Sequence, residues 1–181
     1  MSTTASRIPP LLPEAFSVEQ AEVAKGKESL NFARVFVQNP GVYRAFIPFA
    51  EQLFLRSSLP PREREILILR ALELCDESYD LSHHLIIARD VGMGDPEIEA
   101  ARQGSDGLPD FEQTLTRAAA ELVHDQCISD PTWQALAERY SVKQLMEDVF
   151  LVGLYVMMAM GTKSFGIQLE GEPGEALKAT R

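Results

Sequence analysis

Apolar residues recur every three or four positions over successive segments between Ser29 and Ile167, which is the spacing of one face of an α-helix. Prolines near segment starts and glycines after segment ends mark boundaries, since proline suits a first turn and glycine a left-handed cap. No stretch alternates as a half-buried strand does, so the sequence predicts an all-α fold. The predicted helices are two segments separated by Asn39 and Pro40, one opening at Pro60 and Pro61, one ending at Gly92, a short one from Asp95 to about Gln103, and three over 111–126, 130–140 and 142–167.

Three regions are predicted along the 181 residues. Residues 1–16 contain Pro9, Pro10 and Pro13 and predict an extended N-terminal arm, because proline removes backbone donors and disfavours helix in the residue before it. Residues 17–169 are predicted to form one helical domain, since the length suits a single core and no composition shift divides it. Residues 170–181 are predicted to be a flexible tail.

The last predicted helix is apolar nearly all round between Val149 and Met160, which is more than a one-sided surface helix requires. Two explanations stay open: other helices of the chain surround it, or it also faces a partner subunit. Together with the N-terminal arm, it predicts a homo-oligomer. The uncharged run from Val149 to Thr162 is shorter than the roughly 18 residues of a membrane span, so no membrane partner is expected.

Composition excludes one class of partner and predicts a compartment. The formal net charge is −10 with 17 Lys plus Arg and no basic run, so we expect no nucleic-acid partner. The first residues carry neither an apolar signal core nor an Arg-rich transit pattern, which predicts a cytoplasmic protein. Cys75 and Cys127 form no CxxC pair, and each is predicted to be a buried thiol.

The segment LCDESYDLSHHLIIARDVG holds a candidate acid–base site. Residues four apart share a helix face, so Asp80 could hold the ring of His84 in one tautomer, as a general acid or base requires. His83 points elsewhere, nearer Tyr79. Glu65 and His84 lie at comparable distances from the turn between their helices, so an antiparallel pair would bring Glu65 to the same place. The alternative is a solvated Asp80–His84 pair and a helix-start acid at Glu65.

Binding roles can be assigned to further residues of this region. Arg70 could hold a substrate carboxylate, with an ion pair inside the fold as the alternative. His83 is a second candidate contact to substrate, with packing or capping as the alternative. No metal site is predicted, because His83 and His84 diverge by about 100° on a helix and His124 lies in a distant one.

Five segments in order along the chain carry a family resemblance: RIPPLLPE, SSLPPREREILILRALELC, YDLSHHLIIARDVGM, ISDPTWQALAERY and FLVGLYVMMAMGTKSFGIQLE. From about Arg7 to Leu169 the chain resembles the carboxymuconolactone decarboxylase family, whose relatives include alkylhydroperoxidase-D-type disulfide reductases. The family motif Glu, then Tyr-Glu-Trp-x-x-His-x-x-x-Ala-x-x-x-Gly, is matched by Glu65, Tyr79, Asp80, Leu81, His84, Ala88 and Gly92. The resemblance implies an all-helical, alkylhydroperoxidase-D-like oligomer, which we expect to be a homotrimer or hexamer.

Departures from the family pattern concern redox chemistry and the substrate. Peroxidase-type relatives place a CxxC pair seven and four residues before the histidine, where this chain has Glu77 and Asp80. Cys75 lies two residues too early and has no resolving partner nearby, so CxxC-type peroxide reduction is disfavoured. Leu81 replaces the expected Trp, which opens space or removes an aromatic wall and makes Leu81 a candidate substrate contact. Lys163 lies near a position where the family commonly has Asn.

The resemblance implies a cofactor-independent lyase that decarboxylates a small unsaturated lactone or carboxylic acid through an enolate. His84 would move the proton, Asp80 and Glu65 would orient it, and Tyr79 would hydrogen-bond the developing oxyanion. The same residues could instead isomerise a double bond or open a lactone, since each reaction passes through an enolate. Two other classes stay open: a non-catalytic helical oligomer that binds a small acid or a partner protein, and a peroxidase that uses Cys75 alone.

Overall fold

The structure is a computed structural model that describes residues 6–171. Over these residues it contains one 3₁₀ turn, nine α-helices and no strand, which confirms the all-α prediction. The 3₁₀ turn is Pro13–Ala15, and the helices are α1 (Val18–Ala24), α2 (Asn31–Phe36), α3 (Pro40–Phe54), α4 (Pro61–Leu74), α5 (Tyr79–Asp90), α6 (Asp95–Gln103), α7 (Asp110–Asp125), α8 (Asp130–Ala137) and α9 (Val142–Phe165).

Helices α2 to α9 are those that the apolar spacing predicts. Pro61 opens α4, and Gly92 follows α5 with a φ of 90°, the left-handed region that favours glycine. Helix α1 was not predicted, although Ser17 and Gln20 form the capping box that begins it. The predicted arm includes the 3₁₀ turn, and most of the predicted tail lies outside the described residues.

The chain divides into two compact units. The first unit contains the described residues up to Glu51 and those from Met160 onward, and the second unit is Gln52–Ala159. The domain boundaries at residues 16 and 169 stay predictions.

The first unit has a small core of its own. Its buried members are Ala24, Leu30, Ala33, Val37 and Tyr43, against which several half-buried phenylalanines pack. The ring of Phe36 lies edge-on to Phe165 with centroids 5.8 Å apart. A Cβ on Gly161 would come within 2.7 Å of Phe36, so this close approach requires glycine.

Helix α4 is the centre of the second unit, where it packs against α5, α6 and α7. Its consecutive residues Ile66, Leu67, Ile68 and Leu69 are all fully buried, so the helix is surrounded on every side. Polar residues on such a helix must find partners inside the protein, because burying an unpaired charge is costly. The carboxylates of α4 are therefore held in fixed places.

Hydrogen bonds to Glu63 of α4 and to Glu147 of α9 connect α4 to its surroundings. Glu63 accepts hydrogen bonds from Arg139 at 2.5 Å and from the Tyr140 hydroxyl at 2.7 Å. Before α4 begins, Glu147 of α9 accepts from the Ser58 backbone at 2.7 Å. These contacts tie α4 to the C-terminal part of the second unit and fix the helix that carries Glu65.

Helix α9 is the longest helix described, with 24 residues. By length and composition alone it could cross a membrane, with a mean hydropathy of 1.5 in its most apolar window. Of that window, 56% is buried inside the protein, as in the core helix of many folds.

Candidate active site

A buried imidazole–carboxylate pair joins α4 to α5. His84 Nδ1 lies 2.7 Å from Glu65 Oε2, and both side chains are buried, with Glu65 fully inaccessible. The two residues meet as the spacing around the α4–α5 turn predicts. A carboxylate on Nδ1 accepts its hydrogen and fixes the tautomer, so that Nε2 is the nitrogen left for proton transfer.

The first turn of α5, which leads to His84, is capped by Glu77. Its carboxylate accepts the backbone N–H groups of Tyr79 at 3.0 Å, Asp80 at 2.7 Å and Leu81 at 3.4 Å. These are donors that a helix start leaves without intrahelical partners, and a negative charge there also complements the helix dipole. Glu77 therefore holds the N-terminus of the helix that presents the histidine.

Two aromatic rings from distant helices enclose the imidazole of His84. Tyr155 of α9 lies edge-on to it with ring centroids 4.9 Å apart, and Phe54 of α3 does the same at 5.5 Å. Both rings limit the orientations open to the imidazole, and they exclude water from its flanks. His84 is therefore positioned by one carboxylate and two aromatic walls.

A guanidinium lies at the edge of this site. The Arg64 guanidinium carbon is 4.8 Å from the centre of the Phe54 ring, and Arg64 Nε is 3.8 Å from Glu65 Oε1. That distance is too long for a hydrogen bond, and Nε and Oε1 are buried without hydrogen-bond partners. The Arg64 guanidinium is thus ion-paired with Glu65, and its Nε makes no hydrogen bond within the described residues.

The hydroxyl of Tyr155 keeps its proton at neutral pH and is therefore a hydrogen-bond donor. Burial raises the pKa of Tyr155 well above its ordinary value, and the negative charges of Glu65 and Asp80 raise it further, while Arg64 lowers it. A phenol held in its protonated form can donate a hydrogen bond to a developing oxyanion. Since the charges of Asp80 and Arg64 also affect the pKa of Tyr155, both residues belong to the electrostatic surroundings of this site.

The other residues predicted on α5 are buried, but they make different contacts. Asp80 is 7% exposed and His83 is 5% exposed. The ring of Tyr79 lies edge-on to that of His83 at 4.9 Å, so the tyrosine seen against His84 is Tyr155. The carboxylate seen on Nδ1 of His84 is that of Glu65. The predicted catalytic roles of Asp80 and Tyr79 stay predictions.

Arg70 and Leu81 lie outside this cluster of contacts. Arg70 donates to the Arg102 carbonyl oxygen at 2.5 Å, and burial lowers its pKa, an effect that Glu73 opposes. Leu81 borders an open pocket of about 130 Å³, together with Glu73, Asp76, Glu77, Ser78 and Arg102. Arg102 in this pocket is paired with Glu73 at 2.8 Å. Their substrate-binding roles stay predictions.

The two cysteines are exposed to different degrees. Cys75, at the end of α4, is half-buried, whereas Cys127 is exposed. The prediction of a buried thiol was wrong for Cys127, because the residue follows the end of α7 in the loop before α8. Among the described residues, no group of three or more His, Cys, Asp or Glu is arranged to hold a metal ion.

Three residues around His84 were not found from the sequence: Phe54, Arg64 and Tyr155. Arg64 could have been found, because it directly precedes Glu65. Tyr155 stands as a polar group within the apolar run of α9, which is a signal for a buried hydroxyl. Phe54 gives no signal beyond an apolar helix end.

Comparisons with known proteins give a family and a fold. Residues 40–121 match the carboxymuconolactone decarboxylase family. The fold is similar to that of the debrominase Bmp8 in complex with 2,3,4-tribromopyrrole (TM-score 0.78, 17% identity, covering 98% of this chain and 99% of that chain). It is also similar to the alkylhydroperoxidase AhpD core of an uncharacterized peroxidase-related protein from Ralstonia eutropha JMP134 (TM-score 0.79, 15% identity, 93% and 94%). No curated protein sequence gives a significant match.

Proposed function

Since the chain belongs to the superfamily of carboxymuconolactone decarboxylase and alkylhydroperoxidase-D-like proteins, we propose that it is a cofactor-independent acid–base enzyme. Its reaction is the decarboxylation of a small unsaturated lactone or carboxylic acid through an enolate. The observation that carries this proposal is the buried pair in which Glu65 holds Nδ1 of His84 at 2.7 Å.

The reaction needs one proton moved at a fixed place. The carbon–carbon bond to the substrate carboxylate breaks, carbon dioxide leaves, and the electron pair enters the conjugated carbonyl to give an enolate. His84 delivers a proton from Nε2 to carbon, Glu65 balances the charge on the ring while it holds that proton, and solvent restores it. Such a positioned group is worth roughly 10²–10⁴ in rate.

Two further side chains fit the charge that this reaction develops. Tyr155, whose ring contacts His84, can donate to the enolate oxygen, the role that sequence analysis gave to Tyr79. Arg64, whose Nε makes no hydrogen bond within the described residues, can hold a substrate carboxylate beside the reacting carbon. The positive charge of Arg64 favours an anionic substrate over a neutral one.

Glu77 and Asp80 occupy the two positions where peroxidase-type relatives have CxxC. Their contacts favour acid–base chemistry over thiol chemistry. The carboxylate of Glu77 accepts backbone hydrogen bonds at the start of α5. Asp80 is a buried carboxylate whose charge acts on Tyr155. The fold similarity to the debrominase Bmp8 is too low in identity to extend debromination to this chain.

The test is ultraviolet-monitored turnover of γ-carboxymuconolactone with carbon dioxide release recorded, for the native protein, His84→Ala and the exposed-histidine control His124→Ala. We expect turnover that His84→Ala lowers by at least about 100-fold and His124→Ala leaves unchanged. If the lactone is not a substrate, we expect His84-dependent proton exchange in unsaturated lactones or β-keto acids in deuterated water. Full activity in His84→Ala, or binding of these acids without turnover or exchange, would overturn the proposal; the second result would identify the non-catalytic alternative.

A further inference from the structure

Arg64 and His84 face opposite oxygens of one carboxylate. His84 Nδ1 is 2.7 Å from Glu65 Oε2, and Arg64 Nε is 3.8 Å from Glu65 Oε1. Glu65 is fully buried, so water and salt screen these charges only weakly. The single negative charge of Glu65 therefore acts both on the guanidinium and on any proton that the imidazole gains.

The groups around the imidazole come from four helices. They are Phe54 of α3, Arg64 and Glu65 of α4, Asp80 and His83 of α5, and Tyr155 of α9. Asp80 lies one turn before His84 on the same helix face, whereas the ring of His83 lies against Tyr79. Phe54 is uncharged, and burial keeps Tyr155 in its neutral form. With both carboxyls ionised and both imidazoles neutral, these groups carry one excess negative charge.

A bound anion changes this balance. The side chains of Arg64 and His84 are 12% and 7% exposed, so a ligand and solvent protons can reach them. A carboxylate on the guanidinium cancels its positive charge and raises the excess negative charge from one to two. A proton on the imidazole of His84 returns the excess to one and gives Glu65 a cationic partner. Because excess charge is costly at a buried site, the anion and the proton favour each other.

We infer that Arg64 couples substrate binding to the protonation of His84: when the guanidinium binds a substrate carboxylate, the imidazole takes up a proton from solvent at Nε2. Arg64 acts on His84 through Glu65 and is in this respect a positioning residue. The inference rests on the proposed function, because it states when the proton-donating form of His84 is made. That form accumulates only beside an anionic substrate. The coupling is reciprocal, so the anion binds more tightly as pH falls.

The experiment is a pH titration of the histidine ring signals of the full chain by nuclear magnetic resonance, between about pH 5.5 and pH 8.5. The probe is crotonate, an unsaturated monoanion that cannot decarboxylate through an enolate, and the uncharged control is crotonamide at the same ionic strength. Saturating crotonate should raise the pH at which His84 is half protonated by about one unit, a coupling of about tenfold, and crotonamide should not. The exposed His124 is the internal control and should not respond. His83→Asn and His84→Asn assign the two neighbouring signals.

Two substitutions separate the charge of Arg64 from its packing against Phe54. Arg64→Met keeps an apolar chain over the ring and removes the charge. In this variant His84 should be half protonated about one pH unit higher without any anion, and crotonate should have no further effect. Arg64→Lys keeps the charge and should retain part of the response. The matched control is Arg89→Met, which removes an exposed arginine of α5 that pairs with Asp95 at 2.9 Å and should change neither value.

Three results would overturn the inference: no binding of crotonate, binding that leaves the half-protonation pH of His84 unchanged, or an equal response in Arg64→Met. Circular dichroism shows whether the variants are folded, and the titration of the native protein does not depend on them.

The proposed function fails by a different result. A coupled His84 in a protein that neither turns over lactones nor exchanges protons would support this inference and refute the enzyme. His84-dependent turnover without coupling would support the enzyme and overturn this inference.

Discussion

Asp148 of α9 is a fully buried carboxyl whose two oxygens have no hydrogen-bond partner among the described residues. Burial raises its pKa from 3.8 to about 7. The group that its charge affects is Tyr140, whose pKa is raised by burial, by its bond to Glu63 and by Asp148. We predict that Asp148→Asn makes the protein more stable at alkaline pH, because the amide has the same shape and never ionises.

The sign follows from the order in which the two states lose their proton. The unfolded chain ionises Asp148 near pH 4, whereas the folded chain keeps it neutral until about pH 7. Between these pH values only the unfolded state has released the proton, so rising pH favours unfolding. The free energy of unfolding therefore falls as pH rises, and the loss is complete above about pH 7. The rise in the pKa of Asp148 from 3.8 to about 7 corresponds to a loss of at most about 4 kcal/mol in the free energy of unfolding. The loss is an upper limit because relaxation around a buried ion reduces its cost.

The assay is urea unfolding, followed by far-ultraviolet circular dichroism, between about pH 4 and pH 8.5 at one protein concentration. The free energy of unfolding of Asp148→Asn minus that of the native protein should be near zero at the acidic end. It should rise toward about 4 kcal/mol at the alkaline end. Asp106→Asn, which removes an exposed aspartate, controls for the change in net charge.

A difference between Asp148→Asn and the native protein that stays constant across this range would refute the reasoning. So would an Asn variant that is less stable at alkaline pH, because it would mean that the ionised carboxylate is stabilised by its surroundings. A change in the urea dependence of the unfolding free energy would show instead that the substitution alters the compactness of one state.

Glu77→Ala removes the acceptor for three backbone N–H groups of α5 and should lower the free energy of unfolding by about 1–2 kcal/mol. Urea unfolding measures this, and an unchanged midpoint would show that another group caps α5. Burial favours a higher pKa for Glu147, but hydrogen bonds from Ser58 and Ser57 outweigh it and lower the pKa. The stability that ionised Glu147 contributes is therefore present at neutral pH and lost as pH falls through the acidic range. Glu147→Gln should lower the free energy of unfolding at pH 7 and lower it progressively less in acid. A decrease that is equal at all pH values would contradict this prediction.

Much of the candidate site could be predicted from the sequence because it depends on two helices that are neighbours along the chain. Glu65 lies nine residues before the end of α4 and His84 five residues after the start of α5, so antiparallel packing of the two helices brings them into the same region. The sequence does not show which carboxylate, Asp80 or Glu65, hydrogen-bonds His84. Helical spacing places Asp80 on the same face as His84, and only the packing of α4 against α5 puts Glu65 on Nδ1.

The sequence by itself determined the helices and most of their ends, because apolar spacing, prolines and glycines act within a few residues of where they stand. Only the tertiary structure decided that Phe54 and Tyr155 enclose His84. Helix α9 is apolar on nearly every side, so its composition does not show which face turns inward and which is exposed. That choice depends on the shape of the helices packed around it, which no local pattern records.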